Sequence, residues 1–375
     1  MGIEKEQSSG AQRGQVEEKR ILMLALNSER VDDRLEDGTK RLSVGLTDFH
    51  LVDLKQNELR VSRCRFPSLI MVEFTDAMMS LNDKFLYIVG GVTPPTARSP
   101  EFQQLQLASP LSNRTHYFGG SSLDMSNEAA VWCPAPVFIE GPTTSNYVSF
   151  LGKIYNFGSD RLEPEVLDPA AVGHCNKPIS PIPIPESLAG CSVSVPAVPD
   201  PSNKRILMRL YGGPFSLSSL YAFTPDDGED GIGTWDCLAS DFQVWADSSV
   251  VVNGVIYLHS RKFPSLLCAF HIDKKKWLKV WWDSCFKDKD NNNLDMNGER
   301  IYFDAMLHLG NNILCFAGWT PVYPSPAVCT LEIVFFKFEV LVTGETVIIK
   351  ACDSYSYYLP KTKDVLRFLS ISRVG

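Results

Sequence analysis

Residues 84–94 read KFLYIVGGVTP. An apolar, β-favouring run from Phe85 to Val89 stops at the pair Gly90-Gly91, and the proline-rich stretch VTPPTARSP follows. Apolar β-formers bounded by glycines predict a strand. Glycine pairs also cradle phosphates, but the chain has no G-x-x-x-x-G-K and no G-x-G-x-x-G, and no helix start follows Gly91. A nucleotide site would lack both its lysine and its helix dipole. The remaining reading is structural, and it requires the pattern to recur.

It recurs five times. NDKFLYIVGG ends at Gly91, LGKIYNFGSD holds Gly158, NKRILMRLYGG ends at Gly212-Gly213, VNGVIYLHS ends at Ser260, and LGNNILCFAGW holds Gly318, at steps of 67, 55, 47 and 58 residues. Each unit begins with a turn, continues as a hydrophobic strand to a small-residue stop, and resumes after a loop in a further strand. These further strands are FQQLQLA, PEVLDP, SSLYAFTP, LLCAFHID and VCTLEIVFF, and Trp132, Trp235 and Trp277 follow three of the units. Few segments carry a helical period, so the chain is expected to be all-β. Steps of this size suit one four-stranded blade of a β-propeller.

A sixth unit can be assembled at the start, with RILMLALN (20–27), FHLVDLKQ (49–56) and ELRVSRC (58–64) as its second, third and fourth strands. Its missing first strand is supplied by VLRFLSI (365–371), closing the ring through the two termini and leaving no open sheet edge. The expected fold is a propeller of six antiparallel blades spanning 20–375, preceded by a polar, disordered tail over 1–19.

Composition narrows the function classes. The chain has 375 residues, 36 basic against 44 acidic side chains, a formal charge of −8 and a pI near 5.4. Nucleic acid is therefore not the expected partner. No apolar stretch is long enough for a membrane-spanning helix, and the polar start has no signal-peptide pattern. Ten cysteines are spread without a C-x-x-C pair, as in a reducing cytoplasmic or nuclear setting.

The repeat of a hydrophobic strand, a Gly-Gly pair, a Tyr and a Trp resembles the kelch type of β-propeller. Gly212, Gly213, Tyr221 and Trp235 carry the likeness most fully, and Gly90, Gly91 and Trp132 carry part of it. Gly158, Gly318 and Trp277 mark the other units. The chain looks most like divergent plant kelch and galactose-oxidase-like propellers, here without the F-box that often accompanies them. Family membership implies a non-enzymatic adaptor or receptor, with the glycines and aromatics in structural roles. Independently of the name, glycines permit positive φ and close backbone approach. Tyr and Trp fill the space between twisted sheets.

Few residues announce chemistry. DKDNNNLDMNGE (288–299) places Asp288, Asp290, Asn292 and Glu299 at calcium-loop positions, but Asn293 stands where the turn glycine belongs. It reads as a solvated loop. No nucleophile elbow, H-x-H or H-x-x-x-H occurs. Plant kelch proteins that divert glucosinolate breakdown resemble the chain and imply an iron site of the form E-x-x-x-D-x-x-x-H. Glu299, Asp304 and His308 approach it, with Glu299 one residue out of step. A metal-dependent enzyme or specifier protein at these residues is thus the alternative to a cofactor-free scaffold. His308 bonded to a neighbouring backbone group is the bland account of that position.

The loops after the second strands line one rim of a propeller. Arg98, Arg161 and Arg261 occupy comparable places in three of them, with Trp319 and Tyr323 in a fourth. Arginine beside exposed aromatics is the make-up of a protein-binding hot spot, and guanidinium groups hold carboxylates bidentately. These five residues are the expected contact set for another protein, such as one presenting an acidic peptide segment.

Overall fold

The computed structural model describes most of residues 146–358. Outside that span it describes the strand segments within 20–89, 120–124, 133–135 and 366–374. Among these residues regular structure is β throughout, apart from single 3-10 turns at Glu186–Leu188 and Pro201–Asn203. No helix among them is long and apolar enough to cross a membrane.

The ladders follow the chain in sets of four. The first set uses β1 (Arg20–Asn27), β4 (Val44–Lys55) and β5 (Glu58–Arg63), with β6 (Leu69–Val72) also on β4. Between them β2 (Asp33–Arg34) and β3 (Arg41–Leu42) form a small separate hairpin. The second set is β7 (Met78–Leu81), β8 (Phe85–Val89), β9 (Gly120–Asp124) and β10 (Cys133–Ala135). The third is β11 (Tyr147–Phe150), β12 (Lys153–Asn156), β13 (Glu165–Leu167) and β14 (Ile179–Pro181). The fourth orders β15 (Cys191–Val193), β17 (Arg205–Gly212), β18 (Ser219–Thr224) and β19 (Thr234–Ala239), with β16 (Val198–Asp200) also on β17.

A fifth set of four and a sixth are joined in one eight-stranded order. It joins the fifth, β20 (Ser248–Val252), β21 (Val255–His259), β22 (Leu267–His271) and β23 (Lys276–Trp282), to the sixth, β27 (Thr346–Tyr358), β26 (Val328–Thr343), β25 (Ile313–Ser325) and β24 (Tyr302–Gly310). The junction is a parallel ladder from Lys279↔Thr346 to Trp282↔Ile349, and all other pairings are antiparallel within each half. Its end strands β20 and β24 touch, so the sheet nearly closes on itself. The last strand, β28 (Leu366–Val374), pairs antiparallel with β1 from Arg20↔Val374 to Asn27↔Leu366. It thereby supplies the strand missing from the first set.

Hairpin turns fix these registers. Asn253-Gly254 connects β20 to β21 with φ of 49° and 74°, and Leu151-Gly152 connects β11 to β12 with 49° and 78°. Two residues at positive φ match the right-handed twist of the strands they join.

The core lies between neighbouring sets, not within one. Phe157 and Val166 of the third set meet Ile206, Met208 and Leu210 of the fourth. Leu207 and Leu220 of the fourth meet Ile256 and Leu258 across the next gap. Val255 and Tyr257 face Phe316, Phe336 and Phe338. Cys315, Ala317, Ile333 and Phe335 pack with Val52 of β4. Both faces of these strands are buried, which is why their sequences are continuous apolar runs instead of alternating ones. The strands β28, β7, β11, β16, β20 and β24 touch in that order, and β24 touches β28 again.

Two sequence expectations shift. The third strand of the second set is Gly120–Asp124, whereas FQQLQLA lies outside the described residues, as do Gly90, Gly91, Trp132 and Gly213. Within WTPVYPSPA, residues 319–325 are strand and not loop, and Pro326 and Ala327 lie outside the described residues. Trp319 and Tyr323 belong to β25, which pairs with β26 as far as Ser325↔Val328. Among the described residues pairing with β24 ends at Tyr302↔Trp319, so Pro321 lies beyond that ladder, where its missing N–H breaks none of the described bonds to β24. The register shift between Val322 and Ser325 takes up Tyr323 and Pro324.

Candidate functional site

Among the described residues, polar contacts hold the chain where the second strands of the third and fourth sets end and their connections close. Asn156, buried at the end of β12, accepts a hydrogen bond on Oδ1 from Gly158 N at 3.0 Å, and Asn146 Nδ2 donates to Gly158 O at 2.7 Å. Gly158 holds φ of +70°, and a Cβ there would collide with the Arg161 carbonyl. Leu162 N then donates to Cys191 O at 2.6 Å, tying this connection to the first strand of the next set. The glycine stop is a cornerstone of the connection.

The fourth set uses a buried cation. Arg209 is 3% exposed on β17; its Nε donates to Phe242 O at 2.9 Å and to Ser218 Oγ, whose hydroxyl also donates to Phe242 O. Burial draws the Arg209 pKa down from its ordinary value. Phe242 lies in the segment between β19 and β20, and Phe242 N donates to Ser218 O at 2.9 Å. In the fifth set, His259 O at the end of β21 accepts from Asp247 N at 2.8 Å, while the buried imidazole lies against the Phe316 ring at 5.1 Å.

The repeat aromatics reach across the gaps. Trp235 Nε1 donates to Pro183 O of the preceding set at 3.0 Å, and its ring meets Phe223 at 5.0 Å and Phe157 at 6.1 Å. Trp277 stacks on Phe242 at 5.0 Å and 25°. Tyr221 packs against the core between the third and fourth sets, and Gly212 holds φ of +95°. Gly318, on β25, pairs with Phe303 and Val334.

Of the expected contact set, Arg161 stands on the surface with its side chain 69% exposed, its Nε 3.1 Å from Glu163 Oε1. Trp319 is half-buried against the core shared with β4. Tyr323 is placed only by its backbone in β25, and Arg98 and Arg261 lie outside the described residues. The structure therefore does not bring the five together as one described surface. Asp304 and His308 both sit on β24, but the pairing with β25 skips Asp304, where a register shift falls between Phe303 and Ala305. His308 Nε2 is 2.9 Å from Asn311 O in its own hairpin, and Glu299 lies outside the described residues. Among the described residues no three His, Cys, Asp or Glu side chains converge as a metal site. Sequence reasoning missed the buried Arg209–Ser218–Phe242 contact, for which a lone arginine in an apolar run was the one signal.

No family model matches the chain, and no curated protein matches it. A solved structure described as a complex of KlAtg21 with the coiled-coil of AgAtg16 is similar at 11% identity and a TM-score of 0.35, covering 88% of this chain and 98% of that one.

Proposed function

We propose that the chain is a six-bladed, kelch-like β-propeller that serves as a non-enzymatic scaffold in the cytoplasm or nucleus, binding a partner protein through the connections after its second strands. The observation that carries this reading is the closed sequence of touching strands β28, β7, β11, β16, β20, β24 and β28, one from each set of four. Cores between consecutive sets and the pairing of β1 with β28 support the same architecture. On such a ring the second-strand connections share one rim, and their backbones are stapled at Gly158 and Ser218. A rigid frame under an exposed arginine lowers the ordering cost of binding.

The metal-dependent alternative draws less support, because the His308 imidazole is turned into its own hairpin. The test is affinity capture from native tissue with the full chain and with the triple variant Arg98→Glu, Arg161→Glu, Arg261→Glu. A partner retained by the parent and lost by the folded variant is expected. Stoichiometric iron or copper that disappears in His308→Ala would overturn the scaffold reading.

A further inference from the structure

The outer strand of the fifth set carries a stripe of alternating tryptophan and lysine. On β23, Leu278 is buried and Val280 and Trp282 pack against the core, whereas Trp277, Lys279 and Trp281 are exposed, Trp281 by 63%. With a side-chain period of two, these three share one face and span about 13 Å. Lys274 and Lys275 in the preceding turn and Lys276 at the start of the strand are also exposed. Against these four cations stand the carboxylates of Asp273 and Glu345. Lys276 Nζ lies 3.0 Å from Glu345 Oε1. That hydrogen bond, with the charges of Lys276, Lys279 and Lys274, holds the Glu345 carboxyl below its usual range. In a chain of net charge −8 this is a local excess of positive charge.

The strand also changes partner within the stripe. The ladder with β22 runs from His271↔Lys276 to Ala269↔Leu278 and stops, and Lys279–Trp282 continue as the parallel ladder to β27. The departure leaves a surface depression lined by Lys279, Val280, Trp281 and Trp282.

We propose that this stripe is a docking surface for an extended acidic segment of a partner protein. Of the residues of that segment that face the stripe, a carboxylate would meet Lys279, and apolar side chains two residues to either side of it would lie on the indoles of Trp277 and Trp281. Tryptophans dominate binding hot spots, and complementary charge sets register and speeds encounter. The geometry favours a peptide over a bilayer. Trp277 is stacked on Phe242, and each residue of β23 belongs to a ladder, with β22 as far as Leu278 and with β27 from Lys279, so the indoles lie along a paired strand instead of projecting from a loop tip.

The proposal is independent of the rim reading, and the test separates them. Fluorescence anisotropy would follow binding to the full chain of a fluorescein-labelled peptide that alternates leucine and glutamate at every second position, with serine between them, so that one extended face carries both. Saturable binding is expected, weakened about tenfold by Lys279→Glu or Trp281→Ala, reduced by added salt, and unchanged by Arg161→Glu. Both variant positions are exposed, and circular dichroism with thermal melting verifies that each variant is folded. Absence of binding by the parent chain, or affinity equal to the parent's in both variants, would overturn the proposal. So would variant-sensitive binding to phosphatidylserine vesicles in place of the peptide, which would make the stripe a membrane contact.

Discussion

Met306 N donates a hydrogen bond to Ser248 Oγ at 2.8 Å, joining β24 to β20 across the two ends of the eight-stranded order. No ladder links these strands, so one side chain supplies a polar tie where their backbones face each other. Ser248→Ala leaves the Met306 amide unsatisfied in a half-buried place and is expected to destabilise the fold by about 1–2 kcal/mol. Ser219→Ala removes only an exposed 3.3 Å contact to Ser240 O and should cost far less. Urea denaturation of the two variants decides the point.

Trp235 crosses from the fourth set to the third, donating from Nε1 to Pro183 O while its ring rests on Phe157 and Phe223. Trp235→Phe keeps an aromatic ring in the gap and removes the donor. The expected loss is about 1 kcal/mol, and Trp235→Ala should lose about 3 kcal/mol by vacating the space as well. The ordering parent, Phe, Ala in thermal melting would show that packing outweighs the hydrogen bond.

Gly158 and Gly344 both hold positive φ, +70° and +63°, but only Gly158 has a backbone carbonyl in the place of a Cβ. Gly344→Ala meets nothing within 4 Å and should cost about 1 kcal/mol, the conformational term alone. Gly158→Ala must also displace Arg161 O, so a larger loss is expected. Equal losses would show that the connection yields freely.

Much of the architecture was legible because the strands are buried on both faces. KIYNF, RILMRLY and VIYLH stand out as apolar runs since alternate residues serve different gaps, as Leu207 and Met208 do. The terminal pairing was legible because a sheet with no first strand leaves an edge that VLRFLSI can fill. Strand β9 was not, since GSSLD has too little apolar surface to announce itself. Prolines in WTPVYPSPA signalled a loop, while Pro321 and Pro324 lie on β25 beyond its described ladder with β24. The buried polar contacts were hidden for another reason. Arg209 meets a carbonyl 33 residues away, and spacing along the chain carries no trace of that meeting.

That meeting has a measurable cost of removal. Arg209→Met keeps part of the aliphatic stem but leaves Phe242 O without the guanidinium donor. The expected destabilisation is about 2–3 kcal/mol, since a buried acceptor loses a charged partner. Adding Ser218→Ala should cost less in the Arg209→Met background than in the parent, because the hydrogen bond from Arg209 Nε to Ser218 Oγ is already gone there and no guanidinium N–H is orphaned. A double-mutant cycle by denaturant unfolding measures the coupling.

Thiol chemistry gives a pH-resolved test of the core. Burial pushes the Cys315 thiol up to about 12, with the Lys337 charge pulling weakly the other way, and burial also raises Cys191 and Tyr257. The folded-state values lie above the unfolded ones, so these groups favour the folded state fully below the unfolded range. That contribution is lost as pH climbs from about 9 through the folded values. Alkaline conditions should therefore lower the melting temperature progressively above about pH 9. At pH 8 a thiol with a pKa near 12 is about one part in ten thousand thiolate. Of the five described cysteines, iodoacetamide should then modify exposed Cys237 before the others, with Cys352 slowed by its own raised pKa and Cys315 spared until the chain unfolds. Peptide mapping of the alkylated protein reads that order directly, and early labelling of Cys315 would mean that the core shared by β25, β26 and β4 opens without global unfolding.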